Sequence, residues 1–367
     1  MHKKLLFKIH LILGLIAGVI LLIIGLTGAI LSFQTEIINS INKDSYIVEV
    51  QDSQRLSTKE LLEKFQEKLP SSKINALTFY EDEKSSFVIN IAGEGKAARK
   101  GVNYYINPYT AELLPNVKGE GFFKFIEDIH RRLTFGDIGK QIVAFSVVSL
   151  LLLIISGIYI YWGRIKHAFF SSFTFKFKHK GRAFLSTMHS ALGLWVIPFY
   201  LLSSLTGLTW SYEWFNNSVY SIAGVQKEKR MQAKPQEIPE SFENIQKAVE
   251  LFNKNVNSYE KSNIRFNSDN GIYTFNYLSK DPLHDRAMNK IELNIETNEI
   301  LKHEIFDDKP LNEKLMKSIL ALHTGEYFGI IGKIFMFITS SLMALFTITG
   351  FMMYIQRKKK KRNKEVV

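Results

Sequence analysis

The sequence predicts an α-helical membrane protein with four transmembrane helices in two parallel repeats, each repeat a helix, an extracytoplasmic α+β domain and a second helix. Three observations predict it. Four runs, at 9–33, 141–162, 190–212 and 334–355, are apolar and almost free of formal charge; about 20 apolar residues suffice to cross a hydrocarbon core. Two patterns each occur twice, in the same order. The basic residues gather in the segments that four crossings would leave on one side.

The first pattern places His10, Gly14 and Thr27-Gly28 along one apolar run, and His189, Gly193 and Thr206-Gly207 along another, with identical spacings. The second runs from His130 through Phe135-Gly136, Gly139-Lys140 and Gly157 to Tyr161. It recurs 193 residues later at His323, Phe328-Gly329, Gly332-Lys333, Gly350 and Tyr354.

Helix 1, at 9–33, follows the basic Met1-His2-Lys3-Lys4. Its apolar stretch is too long for a signal peptide and no small-residue cleavage site follows Phe33, so it is expected to be retained. In the soluble segment 35–129, Ser57 and Glu60 have the spacing of a capping box. Leu61, Leu62, Phe65 and Leu69 then form the apolar face of a helix that Pro70 stops. Strands are expected at 74–80 and 86–92, and a hairpin from Val102 to Leu114 turns at Asn107-Pro108.

Helix 2, at 141–162, leads into a basic loop at 163–184. Helix 3 follows at 185–212, with Pro198 expected to kink it. The second soluble segment, 214–318, repeats the order: a helix at 241–253, strands at 262–267 and 271–278, and a hairpin from Ile291 to Leu301. Helix 4, at 334–355, leads into the basic tail 356–367. The Gly14/Gly18 and Gly25/Gly28 spacings suit close helix packing. Trp162, Trp195, Trp210 and Trp214 lie where interfacial anchors are common.

The formal net charge of +12 reports topology. Lys3, Lys4 and Lys8, the loop from Arg164 to Arg182, and the tail from Arg357 to Lys364 carry all of the surplus, and the remainder is net acidic. Positive loops stay inside, which makes both termini and the central loop cytoplasmic and both soluble segments extracytoplasmic. A nucleic-acid partner is excluded by the same distribution. The absence of cysteine excludes disulfides, iron–sulfur clusters and covalently attached c-type haem.

The repeated histidines carry the chemistry. His10 and His189 fall near the cytoplasmic ends of helices 1 and 3. His130 and His323 fall just before helices 2 and 4, near the outer boundary, in short amphipathic segments. A two-fold axis along the membrane normal would place each pair at one depth. Two axial imidazoles on one iron suit that symmetry, so the set reads most simply as the ligands of two haems. A path for a metal ion and plain polar packing are the alternatives. Arg131, Arg132, Lys140 and Lys333 are placed either to pair with haem propionates or to reach lipid headgroups. The unrepeated His2, His167, His179, His284 and His303 are expected to be solvated.

The Lys-Ile-His10-Leu-Ile-Leu-Gly14 and Leu26-Thr27-Gly28 elements, His130-Arg131-Arg132-Leu133, His189-Ser-Ala-Leu-Gly193-Leu-Trp195 and Leu322-His323-Thr-Gly325 together resemble the PepSY-associated transmembrane family. The outer segments look like PepSY domains, with hairpins at Ile106-Asn107-Pro-Tyr-Thr110 and Asn294-Ile-Glu-Thr297. The resemblance implies an iron-regulated inner-membrane protein of the haem-containing siderophore-reductase type. By position, His10 and His189 would ligate an inner haem b, and His130 and His323 an outer one. The implied partners are the lipid bilayer, a ferric siderophore and an electron donor, either a flavoprotein or a quinol. A non-redox PepSY protein that binds peptides or regulates a peptidase, and a metal-ion transporter using the histidine pairs, are the competing readings.

Overall fold

A computed structural model describes residues 2–93, 100–227, 241–265 and 271–365. In chain order, α1 (His2–Leu31), α2 (Gln34–Ile41), α3 (Lys43–Tyr46) and α4 (Thr58–Lys68) precede β1 (Ile74–Tyr80), β2 (Phe87–Ile91) and β3 (Val102–Ile106). Next come α5 (Glu120–Arg132), α6 (Gly136–His167), α7 (Phe169–Ser172), α8 (Gly181–Ser211), α9 (Glu213–Ala223) and α10 (Glu243–Asn255). The strands β4 (Lys261–Arg265), β5 (Ile272–Leu278), β6 (Asn289–Asn294) and β7 (Glu299–Glu304) follow. The chain ends with α11 (Leu311–Lys317), α12 (Ile319–Thr324), a 3₁₀ turn (Glu326–Phe328) and α13 (Gly329–Glu365).

The chain divides into two compact units. Residues 1–34, 120–224 and 319–367 form a helical unit, and residues 35–119 and 225–318 form a unit built on a sheet.

In the helical unit, α1, α6, α8 and α13 are the helices long and apolar enough to cross a bilayer, among the described residues. The chain is therefore a multi-pass membrane protein. These helices extend past the apolar runs because their polar ends remain helical, and α8 continues through Pro198. α1 packs on α6 and α13, and α8 packs on the same two. Ala17, Leu21, Ile154, Val196, Tyr200 and Met343 fill the space between them. At Gly25 an added Cβ would lie 2.5 Å from Met343 Cβ and 2.7 Å from the Ser340 carbonyl, so only glycine permits this approach of α1 to α13. Ile16, Ile138, Ile155 and Ile331 are exposed, as a lipid-facing surface requires.

In the sheet unit, seven antiparallel strands run in the order β3-β2-β1-β4-β5-β6-β7. The two soluble segments were expected as separate α+β domains. Instead β1 pairs with β4 over Ala76–Tyr80 and Lys261–Arg265, which joins their strands in one sheet. The expected strands at 74–80, 86–92 and 271–278 are present. The strand expected at 262–267 is seen to Arg265, and residues 266–267 lie outside the described residues.

Leu77, Ile89, Ile264, Phe275 and Ile291 line up across the sheet on one face. α4 and α10 cover that face with Leu61, Leu62, Phe65, Ile245, Val249 and Phe252. Phe252 stacks on Phe275 with centroids 4.6 Å apart. The capping box forms as the spacing predicts: Glu60 N–H donates to Ser57 Oγ, and Ser57 N–H donates to Glu60 Oε2 at 2.8 Å. Asn107 and Asn294 turn their hairpins by accepting hydrogen bonds from the Tyr109 and Glu296 N–H groups.

Candidate functional site

Four histidines of the helical unit each meet a hydroxyl from a neighbouring helix. His10 of α1 bonds through Nδ1 to Ser156 Oγ of α6 at 2.9 Å. His189 of α8 bonds through Nδ1 to Thr349 Oγ1 of α13 at 2.8 Å. His130 of α5 reaches back to α1, with Nδ1 3.0 Å from both Thr27 Oγ1 and the Ile24 carbonyl. His323 of α12 reaches α8, with Nδ1 2.9 Å from Thr206 Oγ1. The same exchange of contacts thus occurs between α1 and α5/α6 and between α8 and α12/α13.

These hydroxyls decide where the imidazole proton sits. Each already donates its one hydrogen to the carbonyl four residues back in its own helix. Ser156 gives it to Leu152 at 2.7 Å, Thr349 to Leu345 at 2.7 Å, Thr27 to Ile23 at 2.7 Å and Thr206 to Leu202 at 2.6 Å. Their oxygens can then only accept from the histidine. The Ile24 carbonyl, having no hydrogen, imposes the same direction on His130. His130 therefore carries its proton on Nδ1 and keeps a lone pair on Nε2, the form in which imidazole binds a metal, and the other three rings take the same form when each hydroxyl keeps its hydrogen on the carbonyl of its own helix. Holding one ring nitrogen so that the other can ligate is the usual outer-shell arrangement of metal-bound histidine.

The rings also need space. A Cβ at Gly28 would lie 3.2 Å from His130 Cε1, one at Gly207 3.4 Å from His323 Cε1, and one at Gly157 3.4 Å from His10 Cε1. The glycines next to Thr27, Thr206 and Ser156 thus seat three of the four imidazoles, those of His130, His323 and His10. Burial pushes the His130 and His323 imidazoles down to about 4, so both are neutral at pH 7.

The structure brings His130 and His323 together. Their ring centroids are 6.3 Å apart and their planes are inclined at 72°. Two imidazoles sharing one metal through ring nitrogens at about 2 Å place their centroids about 6 Å apart, so this spacing fits a common iron. Trp210 stands edge-on to His323 at 5.3 Å. His10 and His189 line one cavity of about 290 Å³, just below the ~300–1,000 Å³ range of small-molecule sites. Gly14, Gly157, Gly193 and Gly350 border it with leucine, isoleucine and Phe346, walls suited to a flat apolar ring. His10 and Thr27 are seventeen residues apart on α1, which separates the two pairs by about 25 Å along the helix.

Arg131 lies outside this arrangement, in an exposed ion pair with Glu127 at 2.8 Å, and Arg132 is exposed. Lys333 lies over the Phe33 ring, 5.9 Å from its centroid. The partner hydroxyls were not assigned a role from sequence, although Ser156 and Thr349 repeat at the 193-residue offset of His130 and His323, and Thr27 and Thr206 at the 179-residue offset of His10 and His189. One expectation is corrected. His284 is buried in the sheet unit, 4% exposed, because Nδ1 accepts from the Arg286 N–H at 3.1 Å and Nε2 bonds Ser318 Oγ at 2.8 Å. His303 is exposed, with Nε2 bonded to the Tyr277 hydroxyl at 2.7 Å.

A family model described as a PepSY-associated TM region matches residues 7–357. No curated protein matches the chain.

Proposed function

The chain belongs to the PepSY-associated TM family, and on that premise we propose that it is an inner-membrane electron-transfer protein holding two haem b groups, which reduces ferric siderophores on the extracytoplasmic side. The observation that carries this reading is that four repeated imidazoles each set Nδ1 against a hydroxyl of a neighbouring helix. This leaves Nε2 for a ligand, and the histidines fall in two pairs, one lining a single cavity and the other with ring centroids 6.3 Å apart.

In this reading His10 and His189 hold the inner haem, and His130 and His323 the outer one. Bound haem iron supplies one-electron chemistry. The protein residues orient the ligands: Ser156, Thr349, Thr27 and Thr206 hold the Nδ1 protons, and the apolar helix walls exclude water. The net reaction moves one electron from a donor, a flavoprotein or a quinol, to the Fe(III) of the substrate. The Fe(II) formed is bound weakly by the chelator and leaves it. The basic ends of α1, α8 and α13 favour a cytoplasmic location for the His10/His189 end, with both termini inside.

Purified protein from haem-replete cells should give a pyridine haemochrome of the b type. His10→Ala or His323→Ala should each remove one haem and leave the other. A colourless wild-type protein would defeat the reading, as would full haem content in both variants.

A further inference from the structure

We propose that Arg182 and Arg357 form a carboxylate-binding rim on the cavity lined by His10 and His189, so that this cavity selects a flat apolar macrocycle carrying acid groups on one edge. The inference rests on the haem reading above and deepens it for this pair. Among the described residues that line the cavity, Arg182 and Arg357 alone carry formal charge, and none is acidic. Arg182 stands at the start of α8 and Arg357 near the end of α13. Neither forms an ion pair with a carboxylate among the described residues.

Arg357 is held over the Phe7 ring, its guanidinium 4.8 Å from the centroid, which leaves its N–H edge to bind. Tyr161 and Tyr354, at matching repeat positions, also line the cavity. The repeat keeps an arginine here but gives it different surroundings. Arg164 is the counterpart of Arg357 at the 193-residue offset, and it donates to the Ser171 carbonyl at 3.0 Å. The rim is therefore one-sided, set by α8 and α13, and would fix the orientation of an asymmetric ligand. An apolar slot with cationic groups at one end favours a ligand with carboxylates at that end, since each guanidinium can accept a carboxylate in bidentate fashion.

The test compares iron protoporphyrin IX with its dimethyl ester, titrated into full-length protein stripped of haem. Wild type should hold the diacid at the His10/His189 site about tenfold or more tightly than the ester, the scale of one charge-assisted hydrogen bond. Arg182→Gln with Arg357→Gln should bind both alike there and shift that site's midpoint potential to more negative values. Arg164→Gln should behave as wild type. The His130/His323 site serves as internal reference, unchanged in every variant. Haem bound with equal preference in wild type and the double variant overturns the rim alone. Wild type that takes up no haem at either pair overturns the haem reading and the rim with it.

Discussion

A buried or half-buried histidine is an ambiguous residue until its proton is placed. Here each of the four rings meets a hydroxyl that also bonds a carbonyl of its own helix, and the prediction is specific. Thr27→Val and Thr206→Val keep the side-chain shape but remove the hydroxyl partner of His130 and His323, leaving His130 the Ile24 carbonyl. Haem affinity at that pair should fall about 10–100-fold, as for other outer-shell partners, while Thr27→Ser restores it. Titration of haem into stripped protein reads the change directly. Gly28→Ala should weaken the same site by crowding the His130 ring, whose Cε1 would lie 3.2 Å from the new methyl. The four histidines stood out in the sequence because they fall in two repeated pairs, His10/His189 and His130/His323. Their partners were harder to see, because a serine or threonine inside an apolar run serves helix packing in most chains. His284 was misread for the opposite reason: a lone histidine carries no spacing, and its burial depends on Ser318 and the Arg286 N–H, which the fold brings to it.

Strand periodicity tells which face of a strand is apolar but not which strand lies beside it. The alternation in 74–80 and 271–278 therefore revealed β1 and β5, whereas the β1–β4 pairing that joins two soluble segments into one sheet needed the structure. That sheet depends on its helices. Phe252→Ala removes a ring buried against Phe275 and Phe79, and should cost about 3–5 kcal/mol. Loss of the sheet unit's cooperative unfolding transition, or a lowered midpoint in denaturant, would report it. The edge strand β7 gives the unit an acid limb. Lys302 and Lys309 bond both carboxylate oxygens of Glu304 and hold its acid form back to about 2. Because that value lies below the ordinary carboxylate range, the pair's contribution is complete above about pH 4.5 and fades as pH falls towards 2. Glu304→Gln should flatten that part of the stability profile, measured by unfolding from pH 7 to pH 2. The capping box of α4 was legible to the residue, because its geometry is local.

At the scale of the molecule, four apolar helices and a cysteine-free chain make topology simple to measure. A single Lys4→Cys should resist a membrane-impermeant maleimide added outside intact spheroplasts, and a single Ser53→Cys should react; the reverse pattern would invert the orientation read from the basic segments. The electron-transfer account itself needs two histidine pairs, about 25 Å apart along α1, each closed around one haem. Haem and iron counted together on the purified full-length chain, after reconstitution to saturation, test that most directly. The account predicts two b-type haems and two irons per polypeptide, falling to one of each in His10→Ala and in His323→Ala. One or none in the wild type would contradict it.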